Sequence, residues 1–180
     1  MAKVIEVPEN KTAHALFATT KFAWMWLILR LYLGWSWFHA GWGKIGNPAW
    51  MQTGQALQGF WTRAIQVEPQ APIAFDWYRS FIQFLLDGGH YTWFAPLVVI
   101  GEVLIGVALI LGAFTGIAAF FGGFMNFNFM MAGTASTNPL LYTIAILLML
   151  AWKVAGYYGL DRVLLPRIGT PWGPVHSRES

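Results

Sequence analysis

The chain has 180 residues, 57% of them hydrophobic and only 11% charged, which is too apolar for an ordinary soluble domain. Its net charge of +3 is small and spread over both ends, so composition makes no case for nucleic acid. Cysteine is absent, which excludes thiol–disulfide chemistry and thiolate or iron–sulfur ligation by this chain. The class these numbers leave is an all-α integral membrane protein in one domain.

Residues 1–20 carry Pro8, Glu9, Asn10 and Lys11 without sustained periodicity. They read as a cytoplasmic tail with a short surface helix from Ala13, and they lack the pattern of a cleaved signal peptide. The first apolar run is Lys21 to Ile45, with a span expected over Phe22–Trp42. Helical spacing puts Arg30, Gly34, Trp37, Gly41 and Lys44 on one stripe of it. A charge at bilayer depth costs roughly 2.5–3.5 kcal/mol, so Arg30 should face protein and have a partner. The glycines on the same stripe predict close approach of a second helix. The expected partner of Arg30 is Glu102, the other charge deep in an apolar run.

Gly46, Asn47 and Pro48 end this run and restart a helix, with Asn47 as cap and Pro48 at the first helical position. The connection from Ala49 to His90 is too polar to cross a membrane and too aromatic for a bare loop. Within it, Asp76–Asp87 predicts an amphipathic helix stopped by Gly88 and Gly89, and Trp50 to Trp61 gives a weaker signal of the same kind. Tyr91 to Phe114 is read as the second span. Thr115 and Gly116 form a turn, and Ile117 to Met131 is the third span, with Asn126 and Asn128 inside it. Asn138 is expected to cap the fourth span and Pro139 to start it; that span runs to Tyr158 and stops at Gly159. All four are read as long enough to cross at about 1.5 Å per residue, the third only just. An even number of spans puts both termini on one side, and the tail lysines and arginines place that side in the cytoplasm, in a multi-pass inner-membrane protein. The domain reading is 1–20 tail, 21–166 four-helix transmembrane domain, 167–180 tail.

Counting residues puts Arg30 and Glu102 near one depth, with Asn126 and Asn128 close by and His39 about 13 Å outward of Arg30. Lys44 and His90 come near the outer surface. The expectation is a polar column under a cavity open to the outside, walled by Trp, Phe and Met. Glu102, Arg30 and His39 are its candidate catalytic groups. Lys44, Asn126, Asn128, Trp37 and His90 are candidate contacts for an anion or a quinone. The plainer readings stand beside these: a structural Arg30–Glu102 clamp, an interfacial histidine, and asparagines that bond between helices. No metal motif is present: HExxH, CxxC and CxxCH are all missing, as is a Gly-rich phosphate loop. His14 and His176 lie in the tails, away from His39 and His90, so a bis-histidine haem has poor support; single ligation by His39 stays open.

Arg30, Gly34, His39–Ala40–Gly41 and Lys44, then Gly101–Glu102 and Gly106 leading to LILGAFTGIAA, then NPLLYTIAILLMLAWKVAGYYGLDRVLLP, resemble the DoxX/DoxD family. The likeness covers Lys21 to Pro166 and is nearest to DoxD, taken as the large subunit of thiosulfate:quinone oxidoreductase. It implies a four-helix membrane bundle with a distant similarity to vitamin K epoxide reductase, whose dithiol chemistry this cysteine-free chain cannot share. It further implies a small sulfur anion, thiosulfate, as electron donor, a membrane quinone as acceptor, and a second oxidoreductase subunit as partner. Self-association into a homo-oligomer stays open. The alternative function is a non-catalytic membrane scaffold or assembly factor that docks redox partners.

Overall fold

The computed structural model describes residues 10–69 and 71–169, and every regular element in them is helical. Besides one 3-10 turn at Thr20–Phe22, these are in chain order α1 (Lys11–Phe17), α2 (Ala23–Ile45), α3 (Pro48–Met51), α4 (Gln55–Ala64), α5 (Asp76–Asp87), α6 (Tyr91–Leu111), α7 (Thr115–Met131), α8 (Asn138–Leu150), α9 (Trp152–Ala155) and α10 (Asp161–Ile168). Helices α2, α6, α7 and α8 pack in a closed ring, each on the next, with α8 returning to α2. Leu33, Trp37, Leu109, Ala119, Ile144 and Leu148 fill the ring.

The glycine stripe of α2 does what its spacing predicts. A Cβ on Gly41 would lie 2.9 Å from Glu102 Cβ, and one on Gly34 would lie 3.0 Å from Leu109 Cβ. From the other side, a Cβ on Gly106 would lie 2.6 Å from Phe38 Cα. Backbones this close interlock, so these contacts fix the longitudinal register of α2 on α6. They also offset the two helix midpoints by about 13 Å, at 1.5 Å per residue. The first turns of α6 therefore extend past α2 and pack on α3 and α4. The start of α2 extends past the end of α6 to the α6–α7 turn.

Beyond that overhang α3, α4 and α5 form a cap with its own core of Leu57, Trp61, Ile73, Tyr78, Ile82 and Leu85. Asn47 accepts from Ala49 N at 2.9 Å, and Pro48 opens α3, as expected for this restart. Helix α5 has the predicted bounds. Its aromatics split over two faces: Tyr78 points into the cap, while Trp77, Phe81 and Phe84 are exposed. Tyr78 also latches the cap to the bundle, its hydroxyl reaching Asn128 O and Oδ1, each at 3.1 Å. Burial pushes this phenol from 10.0 up to about 12. The protonated form is the one held, so this contribution to stability is whole below about pH 10 and is lost as pH rises through about 12. Tyr78→Phe is expected to cost about 1 kcal/mol and to remove the last step of a phenolate absorbance titration. Loss of a step near pH 10 with the last step kept would show the hydroxyl to be free in water.

Much of the outer surface is apolar. Trp24, Ile28, Trp35, Leu97, Leu104, Phe120, Phe124, Leu140 and Leu150 are all exposed around the ring. So continuous an apolar belt needs lipid or protein against it. Among the described residues α6 is long and apolar enough to cross a membrane, and α2 with the segment before it, bent by 62° from α1, makes a second candidate. The expectation that all four spans have full crossing length is corrected. Helix α7 takes in Thr115 and Gly116, expected as a turn, and so starts two residues before the expected span, yet at 17 residues it stays short because left-handed backbone at Gly112 and Phe114 stops it reaching further back. Helix α8 has 13, because the chain breaks at Ala151 before the single turn of α9. Asn138 does not cap α8. Its Oδ1 accepts from Asn126 Nδ2 at 2.9 Å and its own amide donates to Thr134 O at 3.0 Å, which ties α7 to α8.

The segment ahead of the first span is docked from Asn10 onward. Trp26 Nε1 donates to Leu16 O at 2.8 Å, and the Phe17 and Trp26 rings lie 5.4 Å apart. The expected tail regions 1–9 and 170–180, with His176, fall outside the described residues.

Candidate functional site

Among the described residues two buried charged centres lie inside the bundle, one toward the cap and one at the opposite end. The expected Arg30–Glu102 pair does not form. The register places Glu102 beside Gly41, about 16 Å along α2 from Arg30 at 1.5 Å per residue. The partner of Glu102 is Lys44, whose Nζ donates to both carboxylate oxygens at 2.6 and 2.7 Å. Lys44 also sits 4.8 Å from the centroid of Trp50, on the first turn after the restart. Lys44 shares the buried stripe of α2, so helical spacing gave its direction, while its depth came from the stagger.

The asymmetry of this pair sets a testable order. Glu102 is 2% exposed and Lys44 is 24% exposed. Lys44→Met keeps the packing on Trp50 and strands a carboxylate in the core; it is expected to cost about 3 kcal/mol, the low end for a broken buried pair. Glu102→Gln leaves an ammonium that can turn to water, so it should cost less. Unfolding midpoints of the two variants check this ranking, and the reverse order would show that Glu102 already has another cation.

Arg30 lies at the other end. Its Nη2 donates to Tyr158 O at 2.9 Å. Its Nη1 packs on Gly112 and Gly159, at positions where a side chain on either glycine would collide with it. Two backbone bonds join this corner, Leu160 N to Leu111 O at 3.1 Å and Asp161 N to Gly112 O at 2.8 Å. The buried Asp161 carboxylate lies within electrostatic reach of Arg30. It accepts from Phe114 N at 2.6 Å and Thr115 N at 2.8 Å, which caps α7 from a distant part of the chain.

The remaining candidates scatter. His39 is exposed, off the Gly41 stripe, with its ring 5.9 Å from Trp35. It lines no interior site with Glu102 or Arg30. His90 stands at the cap end of α6, where its Nδ1 accepts from Trp93 Nε1 at 3.2 Å. It is about 18 Å along α6 from Glu102. Asn128 holds the cap through Tyr78 and bonds Phe124 O at 2.8 Å. Asn126 and Trp37 are buried in the ring core, where Asn126 Oδ1 and Trp37 Nε1 have no protein partner. Arg79 is spent on Ile73 O and Asp76 within the cap.

An apolar cavity of about 550 Å³ lies not at the Lys44–Glu102 pair but at the Arg30–Asp161 end, between the start of α7, the end of α8 and α10. Sequence reasoning missed Asp161, Thr115, Gly112 and Gly159. The available signal was Asp161 following Gly159–Leu160 in an otherwise apolar run, but its partners lie 46 and 47 residues away.

A family model described as "TQO small subunit DoxD" matches residues 25–172. That description gives the small-subunit role, where the resemblance implied the large one. Neither the curated proteins nor the solved structures yield a match.

Proposed function

The chain belongs to the DoxD family, and from that premise we propose that it is a membrane-bound oxidoreductase subunit passing electrons from a small sulfur anion, thiosulfate, to a membrane quinone. Joining two thiosulfates through a sulfur–sulfur bond releases two electrons. Reducing a quinone to its quinol takes up two electrons and two protons. The acceptor side therefore needs an apolar slot with an acid or hydrogen-bond donor beside it. One observation carries the reading: a bundle with an apolar outer belt holds two buried carboxylates, Glu102 and Asp161, the second lining a cavity of about 550 Å³. With no cysteine in the chain, the two electrons pass directly to bound quinone or through a group held by a partner subunit. Lys11, Lys21, Lys153, Arg162 and Arg167 are exposed in the segments before α2 and after α8. These charges favour a cytoplasmic side for the Arg30–Asp161 end, in the inner membrane.

The scaffold reading has an observation of its own. Glu102 and Asp161 each spend both oxygens on partners within the fold. Thiosulfate-dependent quinone reduction by membranes holding the chain and its genetic neighbours is the test. Turnover that Glu102→Gln or Asp161→Asn abolishes in folded protein supports the oxidoreductase. No turnover at all, or turnover indifferent to both variants, gives the chain to the scaffold reading.

A further inference from the structure

Helix α5 has three faces. At about 100° per residue, Tyr78, Ile82 and Leu85 fall on one side, and all three are buried in the cap core. Asp76, Ser80, Gln83 and Asp87 fall on the opposite side and are exposed. Trp77, Phe81 and Phe84 gather on a single flank between these two faces, and they are exposed as well. A helix on a water-covered surface is polar wherever it leaves the core, so this aromatic flank calls for a different surrounding.

The flank runs into the apolar belt of the bundle. The Phe84 ring lies 5.7 Å from His90, and the His90 ring lies 5.9 Å from Trp93. Trp93 heads the exposed stripe of Leu97, Ile100, Leu104 and Leu111 along one side of α6.

Depth agrees with this continuity. The 21 residues of α6 measure about 31 Å at 1.5 Å per residue, the thickness of a bilayer's hydrocarbon core. With α6 across the bilayer, Tyr91 stands at one boundary. The cap meets α6 there and deeper: a Cβ on Gly54 would fall against Tyr91 O, and the Trp61 ring lies 5.5 Å from Phe94. Tyr78 of α5 reaches Asn128 on α7. Gly122 lies against Ile105 and Gly101 against Met125, so Asn128 is level with Val98, about 10 Å inside Tyr91.

We propose that the Trp77–Phe81–Phe84 flank of α5 is seated in the interface of the lipid leaflet at the cap end, with the Asp76–Asp87 face toward water. The occupant is phospholipid at the boundary between headgroups and acyl chains, the zone that tryptophan and an amphipathic helix both favour. Lipid is favoured over a protein partner because packed rings carry the flank into the side of a span. The proposal rests on α6 crossing the bilayer and not on any redox activity.

The cysteine-free sequence suits the test, in which single-cysteine variants of the full chain carry a nitroxide label in phospholipid nanodiscs. Trp77→Cys, Phe81→Cys and Phe84→Cys sample the flank, Ser80→Cys and Asp87→Cys the polar face, and Leu104→Cys the side of α6. All these positions are exposed, so the fold should tolerate each label. The flank labels, like the label at Leu104, should collide severalfold more often with oxygen than with a water-soluble nickel chelate. The polar-face labels should show the reverse. In membranes holding the unlabelled chain with its genetic neighbours, a lipid-soluble photoreactive diazirine should mark the flank as it marks Leu104. Flank labels that meet the nickel chelate as freely as the Ser80 label put the flank in water and overturn the proposal. Flank labels shielded from both probes, or marking of Leu104 without the flank, give the flank to a protein and overturn it too. A Leu104 label in water overturns the span itself, which the other outcomes leave standing.

Discussion

Gly112→Ala is expected to prevent the chain from reaching its folded bundle in detectable yield. Gly112 ends α6 with φ at +66°, a conformation that costs an alanine roughly 1–2 kcal/mol. A Cβ there would also fall on Arg30 Nη1. Gly159 Cα lies 3.0 Å from the same Cβ, so the guanidinium has backbone beside it as well. It must leave a seat where Tyr158 O and the Asp161 charge compensate it. Stranding a buried charge costs about 3–5 kcal/mol. Together these terms approach the whole stability of an ordinary domain, about 5–15 kcal/mol. The checks are the yield of monodisperse protein in mild detergent and the unfolding midpoint. Arg30→Met in the same chain removes the clashing atom, so the double variant should lose less than the two single losses combined. A Gly112→Ala protein with its original midpoint would mean that Arg30 is seated elsewhere.

Asp161→Ala is the second large effect. It strips the acceptors from Phe114 N and Thr115 N at the head of α7. An unpaired buried donor costs about 1–3 kcal/mol, and with Thr115 N buried and Phe114 N part-buried the two bring a loss of about 3 kcal/mol before Arg30 is considered. Asp161→Asn keeps one acceptor oxygen and should lose about half as much. Chemical unfolding of the two variants gives the ratio directly. A loss under about 1 kcal/mol for the alanine variant would sink the assignment of Asp161 as the cap of α7, since that is the scale of a single exposed cap. Hydrogen exchange should locate the damage at residues 112–118 and not in the cap helices.

Both effects concentrate at a corner that residue types alone did not mark. Asp161 looks like the opening acid of its own short helix, and Gly112 and Gly159 look like two ordinary helix stops. Their joint meaning comes from α10 returning to the α6–α7 turn, where backbone pairs with backbone at Leu111–Leu160 and Gly112–Asp161. Lys44 was legible as a member of the polar stripe but was read as an outer-surface anion contact, because its partner depends on where α6 stands. Asn138 illustrates the same point: a local cap is the favoured reading of Asn-Pro, and a buried Asn126 across the α7–α8 turn outcompeted it.

By itself the sequence determined the helical class, the bounds of α5 with its glycine stop, the restart at Asn47–Pro48, and the face of α2 that turns inward. Those follow from local chemistry: period, capping, and the absence of a side chain at glycine. Only the tertiary structure decided who meets whom along the helices. Periodicity fixes a direction around an axis but says nothing of position along it. Interlocking at Gly34, Gly41 and Gly106 set that position, carrying Glu102 to Lys44 and leaving Arg30 to the carbonyl of Tyr158.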